Sequence, residues 1–165
     1  MKQADVVILG AGSYGTALAI CFARKGIATT LWGRDADKVA IMQAAHENEE
    51  YLPACPFPES LSVTADLSEA LHDVKNVVVV VPSHSFSSML EQAKPLLAKH
   101  ARVAWATKGL EPDTGRLLYE VAEDIHMDED KSIDYEAREN EMELFLYTDK
   151  NGINYMQLYR DKKLK

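Results

Sequence analysis

The sequence predicts an α/β fold, a doubly wound parallel sheet, and three observations carry that prediction. Val6-Val7-Ile8-Leu9 is a short apolar run that ends in a Gly-x-Gly-x-x-Gly turn (Gly10 to Gly15), and a small-residue helical stretch, Thr16 to Ile20, follows at once. Downstream, short β-rich runs alternate with segments of helical spacing. Val77 to Val81 is an unbroken β-branched run, the pattern of a strand covered on both faces.

The elements follow in order. Gly26 closes the first helix, and Ala28 to Trp32 reads as the second strand. Ala36 to Glu47 has helical spacing, with Val39 and Met42 on one face; His46 there reads as a solvated helix residue. Pro53, Pro56 and Pro58 mark a long loop. Leu61 to Thr64 is a short strand, and Asp66 caps a helix over Leu67 to His72. After the valine run, Ser83 to Ser88 opens a helix that carries Leu90, Ala93 and Leu97 and tolerates Pro95 late in its course. Arg102 to Ala106 is the fifth strand, Thr107-Lys108-Gly109 a loop, and Asp113/Thr114 open a helix to about Ile125. Together these units make a Rossmann-type doubly wound sheet.

Composition narrows the function. The 165 residues are 47% hydrophobic and 27% charged, the balance of a globular domain with a core of its own. The longest apolar run, Val77 to Pro82, is far short of the ~20 residues that span a bilayer. Lys2 and Asp5 beside a short strand do not make a secretory signal, so a cytoplasmic setting is expected. A net charge of −8 argues against nucleic acid as the main partner. The two cysteines, Cys21 and Cys55, form no metal-spacing motif; Cys21 reads as a small buried hydrophobe in the first helix.

The glycine motif suits a dinucleotide pyrophosphate. Gly10 permits the tight turn, Gly12 lets backbone approach phosphate, and Gly15 lets the helix pack closely on the sheet. The helix N-terminus adds unpaired N–H groups and the positive end of its dipole. After the second strand comes Gly33-Arg34-Asp35, where an acid would hold the ribose hydroxyls of NAD. Arg34 can instead fork onto a 2′-phosphate, which favours NADP(H) over NAD(H), with Asp35 turned inward as the competing arrangement. Pro82-Ser83-His84 and Lys108 lie at strand C-termini, on the same edge of the sheet. His84 reads as structural rather than as a base, whereas Lys108 stands between a solvated loop lysine and a group that holds a substrate phosphate or polarises a carbonyl.

Five motifs in order carry a family resemblance: Gly-Ala-Gly-Ser-Tyr-Gly-Thr-Ala-Leu-Ala (10–19), Leu-Trp-Gly-Arg-Asp (31–35), Tyr-Leu-Pro (51–53), Val-Val-Val-Pro-Ser-His (79–84) and Ala-Thr-Lys-Gly-Leu-Glu (106–111). Over residues 4 to about 125 the chain resembles the coenzyme-binding domain of bacterial NAD(P)-dependent glycerol-3-phosphate dehydrogenase. The resemblance implies an oxidoreductase that interconverts dihydroxyacetone phosphate and sn-glycerol 3-phosphate for phospholipid synthesis. It implies that Ser13, Tyr14 and Arg34 contact the coenzyme, with Tyr51 a further candidate, and that Lys108 lies where coenzyme and substrate meet. The family continues into a helical second domain that carries the catalytic lysine and the substrate pocket. That pattern stops here at His126-Met127, so no catalytic residue is expected in this chain and the chain alone is expected to be inactive. The competing reading is a non-catalytic scaffold or fusion whose tail mediates association.

The tail differs in charge. Residues 128–143 hold eight acids and two bases, and 144–165 two acids and five bases. The expected organisation is a dinucleotide-binding domain over 1–125, an acidic linker over 126–140 and a tail over 141–165. Asn151-Gly152 predicts a two-residue hairpin that sets Phe145 opposite Leu158 and Tyr147 opposite Met156; a helix over Glu136–Tyr147 is the alternative. A calcium loop is rejected, because Tyr147 and Leu158 stand where its key carboxylates belong. Such a tail, or an exposed sheet edge, is a route to a homo-oligomer.

Overall fold

A computed structural model of the chain describes residues 3–98, 101–126, 143–148 and 154–159. Five parallel strands form one sheet: β1 (Val6–Leu9), β2 (Thr29–Trp32), β3 (Leu61–Thr64), β4 (Asn76–Val79) and β5 (Arg102–Trp105). Their spatial order is β3-β2-β1-β4-β5. The chain therefore builds outward from β1 in one direction, then crosses back and builds the other way from β4. That reversal leaves a crevice beyond the carboxyl ends of β1 and β4, the place where such sheets bind ligands.

Alternation along β1 divides the core. Val7 and Leu9 face one cluster, with Val77, Val79, Phe86, Leu90, Leu118 and Val121. Val6 and Ile8 face the other, with Ile20, Leu31, Val39 and Val63. Helices α1 (Ser13–Arg24) and α2 (Ala36–Ala45) supply the second cluster. Helices α3 (Leu67–Leu71), α4 (Phe86–Ala93) and α5 (Leu118–His126) supply the first. All four residues of β1 are buried, so the central strand is covered on both faces.

The local signals act as the residues dictate. Asp66 accepts the Glu69 amide at 3.0 Å and caps α3. His46 ends α2 in the left-handed region, at φ 51°, and its carbonyl accepts the Phe57 amide at 2.7 Å. The helix expected from Ser83 through Pro95 to Leu97 is corrected: Ser83–Ser85 and Lys94–Leu96 are 3-10 turns, and α4 spans only Phe86–Ala93, since the proline ring and its missing N–H stop the helix.

Three further expectations need correction. The helix expected from Asp113/Thr114 begins only at Leu118. Residues 111–117 form a turn in which the Glu111 carboxylate accepts the Thr114 amide and hydroxyl. The Glu120 carboxylate reaches back to the Leu117 amide at 2.8 Å, as an N3 glutamate does at a helix start. Cys21 is exposed, because it lies on the solvent side of α1 while Ile20 and Ala23 point inward. Finally, β6 (Glu143–Thr148) and β7 (Asn154–Tyr159) pair antiparallel with Leu144 opposite Leu158 and Leu146 opposite Met156. This register is one residue from the expected one. The expected turn, Asn151-Gly152, and the acidic linker lie outside the described residues.

Candidate functional site

The crevice holds a cavity of about 640 Å³. Four connecting segments wall it, the turn after β1 (Gly10 to Gly12), the turn after β2 (Gly33 to Asp35), the loop after α2 (Glu47 to Tyr51) and the run after β4 (Val80 to Ser85), together with Lys38, Ile41 and Met42 of α2 and Ser88, Met89 and Gln92 of α4.

Gly10 sits where two of these segments cross. Its φ is 124°, and a Cβ there would lie 2.2 Å from the Val80 carbonyl oxygen. Its amide donates to the Trp32 carbonyl at 3.0 Å, so β1 hands the chain over beside β2. A Cβ on Gly15 would lie 1.9 Å from the Gly10 carbonyl oxygen. That contact sets the distance from α1 to β1. Gly12 differs. Its φ is −77°, within reach of any residue, and a Cβ there would meet nothing within 4 Å. No protein atom explains glycine at 12; the space beside it is open to the cavity.

Gly12 is also the N-cap of α1, and it offers no side chain to the first turn. The first hydrogen bond back into the helix is Thr16 amide to Gly12 carbonyl, at 2.9 Å. The amides before it have no acceptor inside the helix, and no acid stands in that turn to compete for their charge. Ser13 and Tyr14 are exposed on this turn, and Gly15 is buried beneath it.

Arg34 is exposed on the cavity wall. Asp35 beside it is otherwise engaged: its Oδ1 accepts the amides of Asp37 and Lys38, both at 3.1 Å, and so caps α2. One turn along α2, the Lys38 Nζ donates to Glu50 Oε1 at 2.5 Å and lies 5.4 Å from the centre of the Tyr51 ring. The hydrogen bond from Lys38 holds the Glu50 carboxyl below the usual glutamate range, and the same bond raises the Lys38 ammonium.

His84 lies in a 3-10 turn, Ser83–Ser85, exposed at the cavity wall. Lys108 is exposed in the loop after β5 and is not among the residues that wall the cavity. Its neighbours are tied to the cavity rim, since the Thr107 hydroxyl donates to the Val81 carbonyl at 2.9 Å. The sequence reading missed Asn48, which is 2% exposed and reaches from the loop after α2 to the glycine turn. Among the described residues no group of three or more His, Cys, Asp or Glu side chains is placed to hold a metal, and no helix is long and apolar enough to cross a membrane.

A family profile described as the N-terminus of NAD-dependent glycerol-3-phosphate dehydrogenase matches residues 5–134. The chain belongs to that family. The match runs on past His126-Met127, into the acidic segment where the sequence motifs stop. Glycerol-3-phosphate dehydrogenase [NAD(P)+] of Idiomarina loihiensis is 85% identical over 129 residues, which are 78% of this chain and 39% of that protein. The counterpart in Pseudoalteromonas translucida is 60% identical over 117 residues, or 71% of this chain and 35% of that one. The crystal structure of glycerol-3-phosphate dehydrogenase from Coxiella burnetii matches with a TM-score of 0.71 at 45% identity, over 74% of this chain and 37% of that one. The chain thus spans under two-fifths of the length of these relatives, and the part it matches is their N-terminal, NAD(P)-binding part. As a member of the glycerol-3-phosphate dehydrogenase family it carries a Rossmann sheet whose crevice fits a dinucleotide: a cradle that two glycines shape and a third leaves open.

Proposed function

We propose that this chain forms the coenzyme seat of an enzyme that interconverts dihydroxyacetone phosphate and sn-glycerol 3-phosphate, with NADP(H) preferred over NAD(H). In this reading the amides of the first turn of α1, around Gly12, Ser13, Tyr14 and Gly15, hold the pyrophosphate. Arg34 forks onto the 2′-phosphate, and Tyr51 borders the adenosine end. Lys108 belongs where coenzyme and substrate meet, carried there by the loop tied to Val81. The nicotinamide supplies hydride transfer when bound; this chain binds and orients it.

The observation that carries the NADP preference is the Asp35 cap. The two amides draw the Asp35 carboxylate toward the start of α2 through Oδ1, which competes with binding of the ribose hydroxyls, and Arg34 stands beside it as a cation on the cavity wall. Titration of the chain with NADPH and NADH, read by quenching of Trp32 at the cavity wall, tests it. Tighter binding of NADPH is expected, and equal affinities would overturn the preference.

The substrate pocket and proton-transfer group are ascribed to the relatives' remaining length, so dihydroxyacetone phosphate should not drive NADPH oxidation by this chain alone. A steady rate with that substrate would refute this. The organisation that fits is the coenzyme domain over 1–125, an acidic connector over 126–140 and a tail over 141–165, in a cytoplasmic protein. Self-association is the second reading. It is favoured by β5, an outermost strand whose Arg102 and Ala104 are exposed. Sedimentation of the chain with and without residues 126–165 reads it directly.

A further inference from the structure

We propose that Asn48 is a positioning residue that sets the orientation of the Ala11–Gly12 peptide and thereby aims an amide at the coenzyme pyrophosphate. The inference rests on the reading of the glycine turn as the pyrophosphate cradle.

Asn48 is buried, and both ends of its side chain are engaged, the amide nitrogen with partners distant in sequence. Its Nδ2 donates to the Ala11 carbonyl at 3.0 Å and to the Thr16 hydroxyl oxygen at 2.8 Å. Its Oδ1 accepts the Tyr51 amide at 3.4 Å, and its own carbonyl accepts the Leu52 amide at 2.8 Å. One carboxamide therefore ties the glycine turn, the first turn of α1 and the loop after α2 together.

The bond to Ala11 matters most. A trans peptide is planar, with its carbonyl and its N–H on opposite sides. Holding the Ala11 carbonyl toward Asn48 turns the Gly12 N–H the other way. Gly12 is the residue whose added Cβ would meet no atom within 4 Å, beside the cavity. Asn48 thus fixes one of the donors at the helix start through the peptide it holds. The bond to Thr16, itself fully buried, holds the first turn of α1 in register with that peptide. A buried donor with two acceptors is costly to remove, so the arrangement resists peptide rotation in the free protein, and the seat is shaped before the ligand arrives.

The test uses the full chain and three probes: NADH, NADPH and adenosine 2′-phosphate, which carries the 2′-phosphate but no pyrophosphate. Asn48→Asp keeps an oxygen for the Tyr51 amide and replaces the donor facing Ala11 by an acceptor. Affinity for NADH and NADPH should fall by the same factor, about tenfold, with adenosine 2′-phosphate unchanged within about twofold. Thr16→Val, which removes one acceptor, should weaken both coenzymes, and Thr16→Ser should restore them. This pair decides the matter if Asn48→Asp does not fold. A fall in melting temperature with unchanged coenzyme affinity, or a parallel loss for adenosine 2′-phosphate, would overturn the proposal. Failure of the unaltered chain to bind NADH or NADPH would instead overturn the cradle reading along with it.

Discussion

Gly15 faces the carbonyl oxygen of Gly10 so closely that a Cβ at 15 would stand 1.9 Å from it. Backbone, not a flexible side chain, occupies the space, so α1 would have to lift off β1. Gly15→Ala should therefore destabilise the fold by about 3 kcal/mol, measured by urea denaturation. A loss below about 1 kcal/mol would show that the helix yields easily.

Gly12→Ala is the complementary case. The added methyl meets no protein atom, and the backbone angle suits alanine. Stability should change by about 1 kcal/mol or less, the difference between these residues at an N-cap. Coenzyme affinity should still drop about tenfold or more, because the methyl fills the space a phosphate needs. Denaturation and fluorescence titration on the same variant separate the two effects.

After β2, Arg34 and Asp35 carry opposite expectations in the proposed coenzyme reading. Arg34→Ala should weaken NADPH about tenfold or more and leave NADH nearly unchanged, since only NADPH carries the added phosphate. Asp35→Ala should cost about 1 kcal/mol of stability through the lost cap on α2. It should not single out NADH, and a selective loss of NADH would mean that the carboxylate reaches the ribose after all.

The Lys38–Glu50 pair has a definite pH signature. Glu50 is depressed chiefly by the hydrogen bond from Lys38, so the pair's contribution is present above the ordinary value of 4.5 and is lost as pH falls through the lower folded value. Lys38 is raised by the same bond, so its contribution holds below 10.5 and is lost as pH rises through the higher folded value. Both side chains are about half exposed, at 43% and 51%, so solvent screening keeps the effect on stability small. The titration is the better readout. In Lys38→Met the Glu50 carboxyl midpoint, followed by NMR, should move up toward 4.5.

Cys21 offers a direct chemical check. Exposed on α1, it should react with an aromatic disulfide reagent in the folded protein faster than half-buried Cys55. Protection of Cys21 until unfolding would restore the buried assignment.

Most of the sheet was legible because each strand is a brief apolar run with a turn residue beside it, and Asp66 stands where a cap must. The start of α5 was not. Asp113 and Thr114 have the side chains of an N-cap, but Glu111 draws the Thr114 amide and hydroxyl into a turn, and Glu120 takes the capping role further on. Cys21 misled because a lone thiol between Ile20 and Phe22 has no local mark of which helix face it occupies. Arg34 was legible as a wall residue from its distance past the glycine turn, whereas the cap that Asp35 makes on α2 was not, since capping and ribose binding ask for the same side chain. Asn48 left no local trace: its donors find acceptors 37 and 32 residues away, and only folding brings them together.

All the residues that wall the cavity fall between Gly10 and Gln92. What lies beyond, through β5 and α5, contributes core side chains such as Leu118 and Val121 to the face that carries β4. The cavity wall is therefore written in the earlier stretch of the chain, whereas the layer behind β4 draws on both, with Phe86 and Leu90 before residue 92 and Leu118 and Val121 after it. An exchange of the chain after residue 92 would keep every residue of the cavity wall but would replace Lys108 and part of the apolar layer behind β4, so the incoming stretch has to refill that face.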